Sequence, residues 1–211
     1  MIAEVINNNY MPPWPADPTY RSFTGEKVLT RDEKNIINKW IENGAIEGEK
    51  TKEPDLEKMS QLKPAFSDNG TVTAATSSPL TDGAAGILVC SEDFALQHGL
   101  EPIASIVSTA VAGVPPEIMG YGPVPASKKA LKRSGLTLDD MSIIELNEAF
   151  SAQSLACLQD MSVDPEDERL NIDGGALAIG HPLGATGARC LMTLTNALIR
   201  TNSNRGIVTI C

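Results

Sequence analysis

The sequence has 211 residues, of which 42% are hydrophobic, 21% charged and 4% aromatic, a globular composition with room for one full domain and a short appendage. This excludes disorder as the main property and argues against two large domains. Lys plus Arg number 17 against 27 Asp plus Glu, and the net charge of −10 argues against nucleic acid or an anionic membrane as a general partner. No run of eighteen apolar residues occurs, and the first residues lack the basic and apolar regions of a signal peptide, so a cytoplasmic protein is expected. The four cysteines, Cys90, Cys157, Cys190 and Cys211, form no CxxC pair, and only His98 and His181 are available to join them, so no metal site is expected. In a reducing compartment each cysteine reads first as a small buried hydrophobe.

The first 60 residues hold both tryptophans and 8 of the 17 basic residues, which suggests a boundary near 50–55 and a leader over 1–54. Pro12, Pro13, Pro15 and Pro18 remove donors and fix φ, so an extended arm is expected there. A helix over about 31–43 follows, with Thr30 as N-cap, Glu33 as its capping-box partner, Ile36/Trp40 and Ile37/Ile41 as apolar i,i+4 pairs, and Gly44 as the stop. About residues 10–48 resemble the tail of c-type cytochrome-like domains, in which the methionine corresponding to Met11 can ligate haem iron. Haem attachment requires Cys-x-x-Cys-His, and positions 1–89 contain neither cysteine nor histidine, so a stiff arm with one docking helix is the expectation.

Beyond residue 70 the pattern becomes α/β. Strands are expected at 84–90, 103–112, 142–146, 170–172 and 206–211, and helices at 92–98, 126–133, 148–158 and 185–200. Their alternation predicts a mixed, mostly parallel sheet covered by helices.

Three segments carry chemistry. In the glycine-rich run 174–187, Gly180 precedes His181 and Pro182 follows it; a lone histidine is often structural, but one held in a rigid glycine loop before a buried helix suits a general base. Asn147-Glu148-Ala149-Phe150 stands where a strand gives way to a helix, the place where open α/β sheets build sites. Asn147 there is either a helix N-cap or a functional amide. Cys211 ends an apolar strand.

Taken in this order, Asn-Glu-Ala-Phe, then Gly-Gly-Ala-x-Ala-x-Gly-His-Pro-x-Gly-x-x-Gly, then a strand ending in cysteine, the segments resemble the C-terminal half of a thiolase. The resemblance extends to Leu62-Lys63-Pro64-Ala65-Phe66, to Thr71-Val72-Thr73-Ala74 with Asp82-Gly83-Ala84-Ala85, and to Met119-Gly120-Tyr121-Gly122-Pro123-Val124-Pro125-Ala126. It covers about residues 55–211, and the tyrosine form of the last segment is most similar to bacterial 3-ketoacyl-CoA thiolases. It implies a thiolase-like α/β fold and acyl transfer, either 3-ketoacyl-CoA cleavage by CoA or the reverse condensation, with coenzyme A as substrate and no bound cofactor. By motif, His181 would activate the nucleophile and donate to the thioester oxyanion, Asn147 would complete that oxyanion site through a water, and Cys211 would shuttle a proton at the α-carbon. Ser78 would contact the pantetheine arm, although Ala75-Thr76-Ser77-Ser78 departs from the usual Gly-Asn-Ala-Ser. Phe150 would line the acyl pocket, and Gly180 would border the substrate.

Two departures from the family pattern bear on activity. None of the four cysteines has the context of the family's nucleophile, and the glycines that should follow Cys211 do not appear. A terminal carboxylate beside Cys211 would raise its pKa. The chain alone is therefore expected to lack turnover and to need either a segment that supplies the nucleophile or a homo-oligomer. The alternative is a non-catalytic thiolase fragment that binds acyl-CoA or a partner subunit. In both cases, apolar surface left without sheet neighbours is expected to drive association.

Overall fold

The computed structural model describes residues 30–43 and 54–211, and the chain divides into two units, Met1–Pro54 and Asp55–Cys211. The expected arm, with Met11, and the stop at Gly44 lie outside the described residues. In the first unit, helix α1 spans Arg31–Glu42. Thr30 caps it as expected: its side chain accepts from the Glu33 amide while the Glu33 carboxylate accepts from the Thr30 amide, so two orphan donors are satisfied reciprocally.

The second unit is built on two parallel strands, β1 (Ile143–Leu146) and β2 (Gly206–Thr209), in the register Ile143↔Gly206 to Leu146↔Thr209. The alternation of β1 sends Ile144 and Leu146 to one face and Ile143 to the other. Ile144 and Leu146 pack with Val124, Met141, Cys157, Leu158 and Val163. Ile143 packs with Leu194 and Ala197. The first face is covered by α4 (Pro123–Ser134) and α5 (Ser151–Met161), and the second by α7 (Thr186–Arg200). Helix, sheet and helix thus form three layers. The remaining helices are short: α2 (Leu56–Ser60), α3 (Glu92–Gln97), capped by Ser91, and α6 (Ala176–Ile179) inside the glycine-rich run.

Three of the expected strands differ from what the chain forms. Segments 84–90 and 103–112 are irregular and mostly exposed, because a strand exists only through a paired neighbour and neither segment has one among the described residues. Cys90 is consequently exposed rather than buried, and Cys211 is half-buried, whereas Cys157 and Cys190 lie in the core as expected. Residues 170–172 contribute a single parallel bridge, Ile144↔Leu170. Asn171 then turns to φ 43°, and its carboxamide takes the place of the next peptide: Oδ1 accepts from the Leu146 amide and Nδ2 donates to the Leu146 carbonyl, both at 2.9 Å.

Candidate active site

Asn147 directly follows β1, and its amide donates to the Thr209 carbonyl at the end of β2 (3.0 Å), so the site stands at the carboxyl edge of the parallel pair. Asn147 is not a helix cap; Phe150 holds the N-cap position of α5. Both Asn147 and His181 are buried, at 1% and 8% exposure.

His181 reaches the same place from the glycine-rich run. Gly175 allows the approach of Glu148, since a Cβ there would fall 2.0 Å from the Glu148 carboxylate. That carboxylate is pinned by Asn171 Nδ2 and by the Leu177 amide, which ties the run to the end of β1. Gly180, at φ +98°, turns the chain against Thr81, and the His181 amide donates to the Pro79 carbonyl.

The side-chain geometry fixes the imidazole. Nδ1 of His181 lies 2.7 Å from Thr186 Oγ1, which itself donates to the Pro182 carbonyl at 3.0 Å. With the Thr186 proton on that carbonyl, the hydroxyl accepts from the ring, which puts the hydrogen on Nδ1 and leaves Nε2 bare. Asn147 Nδ2 lies 3.4 Å from that bare nitrogen. Burial, and next the nearby Arg189 charge, push the His181 pKa below its usual value, so the ring is neutral at pH 7. The ring can therefore take a proton at Nε2 and, once protonated there, donate to an oxyanion.

Among the described residues, Cys211, Ser78 and Phe150 make no hydrogen bond to this pair. Cys211 Sγ donates to the Met119 carbonyl at 3.2 Å, and burial raises its pKa, so it is a thiol at neutral pH. Beside it lies an open cavity of about 400 Å³ lined by Val111, Val114, Met119, Ala126 and Ile210. The Ser78 amide and hydroxyl both donate to the Ala149 carbonyl, at 3.0 and 3.1 Å. The Phe150 ring meets Phe66 edge-on with centroids 6.2 Å apart. Thr186 and Arg189 escaped the sequence reading. Their signal is spacing: three residues apart on α7, they share a helical face, and Thr186 follows His181 by five residues.

Comparison with known proteins agrees with this arrangement. The family described as "Thiolase, C-terminal domain" matches residues 100–211, and "Thiolase, N-terminal domain" matches residues 33–93, reaching back across the compositional boundary near 50–55. A 3-ketoacyl-CoA thiolase of Aliivibrio fischeri is 54% identical over 161 residues, 75% of this chain and 42% of the relative. An acetyl-CoA acetyltransferase of Paracoccus denitrificans is 46% identical over 193 residues, 92% of this chain and 45% of the relative. Among solved structures, human mitochondrial 3-ketoacyl-CoA thiolase superposes with a TM-score of 0.68 at 40% identity, covering 75% of this chain and 40% of that one. The same human enzyme is also known in complex with CoA. The chain spans less than half the length of these relatives. With its C-terminal domain match, its α/β layers and its histidine and Asn-Glu-Ala-Phe motifs in one place, the chain belongs to the thiolase family.

Proposed function

We propose that the chain supplies the histidine–asparagine half of a thiolase active site for cleavage of 3-ketoacyl-CoA by CoA, or the reverse condensation. The observation that carries this reading is the neutral, buried imidazole with a bare Nε2 beside Asn147 Nδ2. In the reaction, Nε2 takes the proton of a nucleophilic thiol, and the thioester oxygen, once charged, is held by Nε2–H and by a water bound to Asn147. Cys211, kept as a thiol by burial, protonates the α-carbon when the carbon–carbon bond breaks. The apolar cavity beside Cys211 suits an acyl chain. Ser78 and Phe150 border the substrate, and coenzyme A is a substrate, as the CoA complex of the human relative suggests. The reading places the chain in cytoplasmic fatty-acid β-oxidation, without a bound cofactor. No helix among the described residues is long and apolar enough to cross a membrane.

The nucleophile itself must come from elsewhere. A reactive cysteine needs a lowered pKa, whereas burial raises those of Cys157, Cys190 and Cys211, and Cys90 lies in an exposed irregular segment. The exposed Ile87, Leu88, Val107 and Val111 favour a second reading, in which the chain docks another subunit without turnover. Thiolysis of acetoacetyl-CoA separates the two. The expected result is no cleavage by the chain alone, cleavage when the N-terminal domain of a relative such as the Aliivibrio fischeri enzyme is added, and a loss of about 10²–10⁴-fold in His181→Ala. Cleavage by the chain alone, or cleavage indifferent to His181, contradicts the proposal.

A further inference from the structure

Arg189 projects from α7 toward the His181–Asn147 pair, and its guanidinium makes one side-chain hydrogen bond among the described residues, from Nη2 to Asn147 Oδ1 at 3.5 Å. Its Nε and Nη1 are buried without a partner. Glu145, two residues before Asn147 on the same face of β1, is 2% exposed, and its Oε1 is also buried without a partner. A half-buried cation thus has two of its nitrogens out of reach of solvent, with the Asn147 carbonyl oxygen as its one hydrogen-bond acceptor among the described residues.

The bonds through this site form a single directed chain. Arg189 donates to Asn147 Oδ1, Asn147 Nδ2 donates to His181 Nε2, His181 Nδ1 donates to Thr186 Oγ1, and Thr186 donates to the Pro182 carbonyl. The Arg189 end admits no reversal, because a guanidinium only donates, whereas the Thr186 hydroxyl at the other end lies within reach of both the Pro182 carbonyl and Nδ1 and can turn its proton to either. Turning the Asn147 amide over would set its NH₂ against the guanidinium and its oxygen against Nε2. That arrangement would call for a hydrogen on Nε2, the tautomer that an imidazole free of tertiary contacts prefers. We propose that Arg189 is a positioning residue, which locks the Asn147 amide by donating to Oδ1 and through it keeps a bare Nε2 on His181.

This inference rests on the proposed role of His181 and names what holds it ready. Its readout is a tautomer rather than turnover, so its failure is distinguishable from failure of the thiolysis assay. In the full chain labelled with nitrogen-15, long-range proton–nitrogen spectra resolve both imidazoles, because His98 and His181 are the only histidines. At a pH well above the histidine range, His181 is expected as the Nδ1–H form, with Nε2 at a pyridine-like shift. Arg189→Met is expected to move Nε2 toward the pyrrole-like position, and Arg189→Gln, a milder change that also removes the charge, to move it the same way. In an Asn147→Ala background the Arg189 substitutions are expected to add nothing, because the amide through which Arg189 acts is gone. Three results would overturn the proposal: an Nε2–H form in the parent chain, an unchanged tautomer in the Arg189 variants, or a shift of equal size with Asn147 absent.

Discussion

Glu145 is the residue at which the site exacts most from stability. It occupies the third position of β1, where its register partner is Val208 and its neighbours Ile144 and Leu146 are fully apolar. Burial pushes its pKa up to about 7, with the Arg189 charge opposing the rise and Asp173 and Glu148 adding to it. A group raised in the folded state favours folding below its unfolded pKa, and that contribution is lost as pH rises through the folded value. The contribution amounts to about 3 kcal/mol between about pH 5 and about pH 8. His181 has the opposite sign: its lowered pKa favours folding above the usual histidine value, a contribution lost as pH falls. Glu145→Gln keeps the shape without the charge, so urea midpoints of the variant are expected to gain on the parent as pH rises over that range. Parallel profiles would contradict this. A charged residue inside an apolar strand was visible in the sequence, but its partner was not, since only the packing of α7 on β1 brings Arg189 to the face that Glu145 and Asn147 share.

At the level of elements, the helices were legible in sequence and the strands only in part. The Thr30–Glu33 box, the Ser91 cap and the basic end of α4 are local signals and mark helices close to where they form. Two starts moved: α4 begins at Pro123, because proline is well suited to a first helical turn, and α5 begins at Ser151, because Asn147 still bonds to Thr209 of β2 and Ala149 and Phe150 pair with Ser78 and Ser77. Segments 84–90 and 103–112 have strand-like composition, but pairing is a property of two segments, and composition reports one. Five glycines within 174–187 signal a close approach or positive φ, while the contacts that require them, Glu148 against Gly175 and Thr81 against Gly180, come from distant sequence. Gly180→Ala tests this: with φ at +98° and a Cβ 2.4 Å from Thr81 Cγ2, the substitution is expected to cost about 1–3 kcal/mol and to displace His181. Urea unfolding together with the His181 imidazole shift measures both effects, and a neutral substitution would show that the turn is not under this constraint.

Across the second unit as a whole, apolar exposure is concentrated in the unpaired segments. Leu88, Val89, Ile103, Val107 and Val111 range from 66% to 84% exposed. The sequence anticipated this surface, and association is its expected consequence. The full chain is expected to self-associate and to bind a hydrophobic dye, and Leu88→Lys combined with Val111→Lys to reduce both; a monodisperse parent with negligible dye binding would count against it. The family was legible because the histidine and Asn-Glu-Ala-Phe motifs are contiguous in sequence. The hydrogen-bond chain behind them was not, because it joins β1, the glycine-rich run and α7 only after folding. The proposed chemistry depends on one state of one side chain, a neutral His181 with a bare Nε2 at physiological pH. The most direct measurement is the pH titration of the His181 imidazole in the intact chain. The expected midpoint lies below the ordinary histidine value of 6.5, with the neutral ring dominant at pH 7; a midpoint above 6.5, with imidazolium dominant at pH 7, would contradict the account.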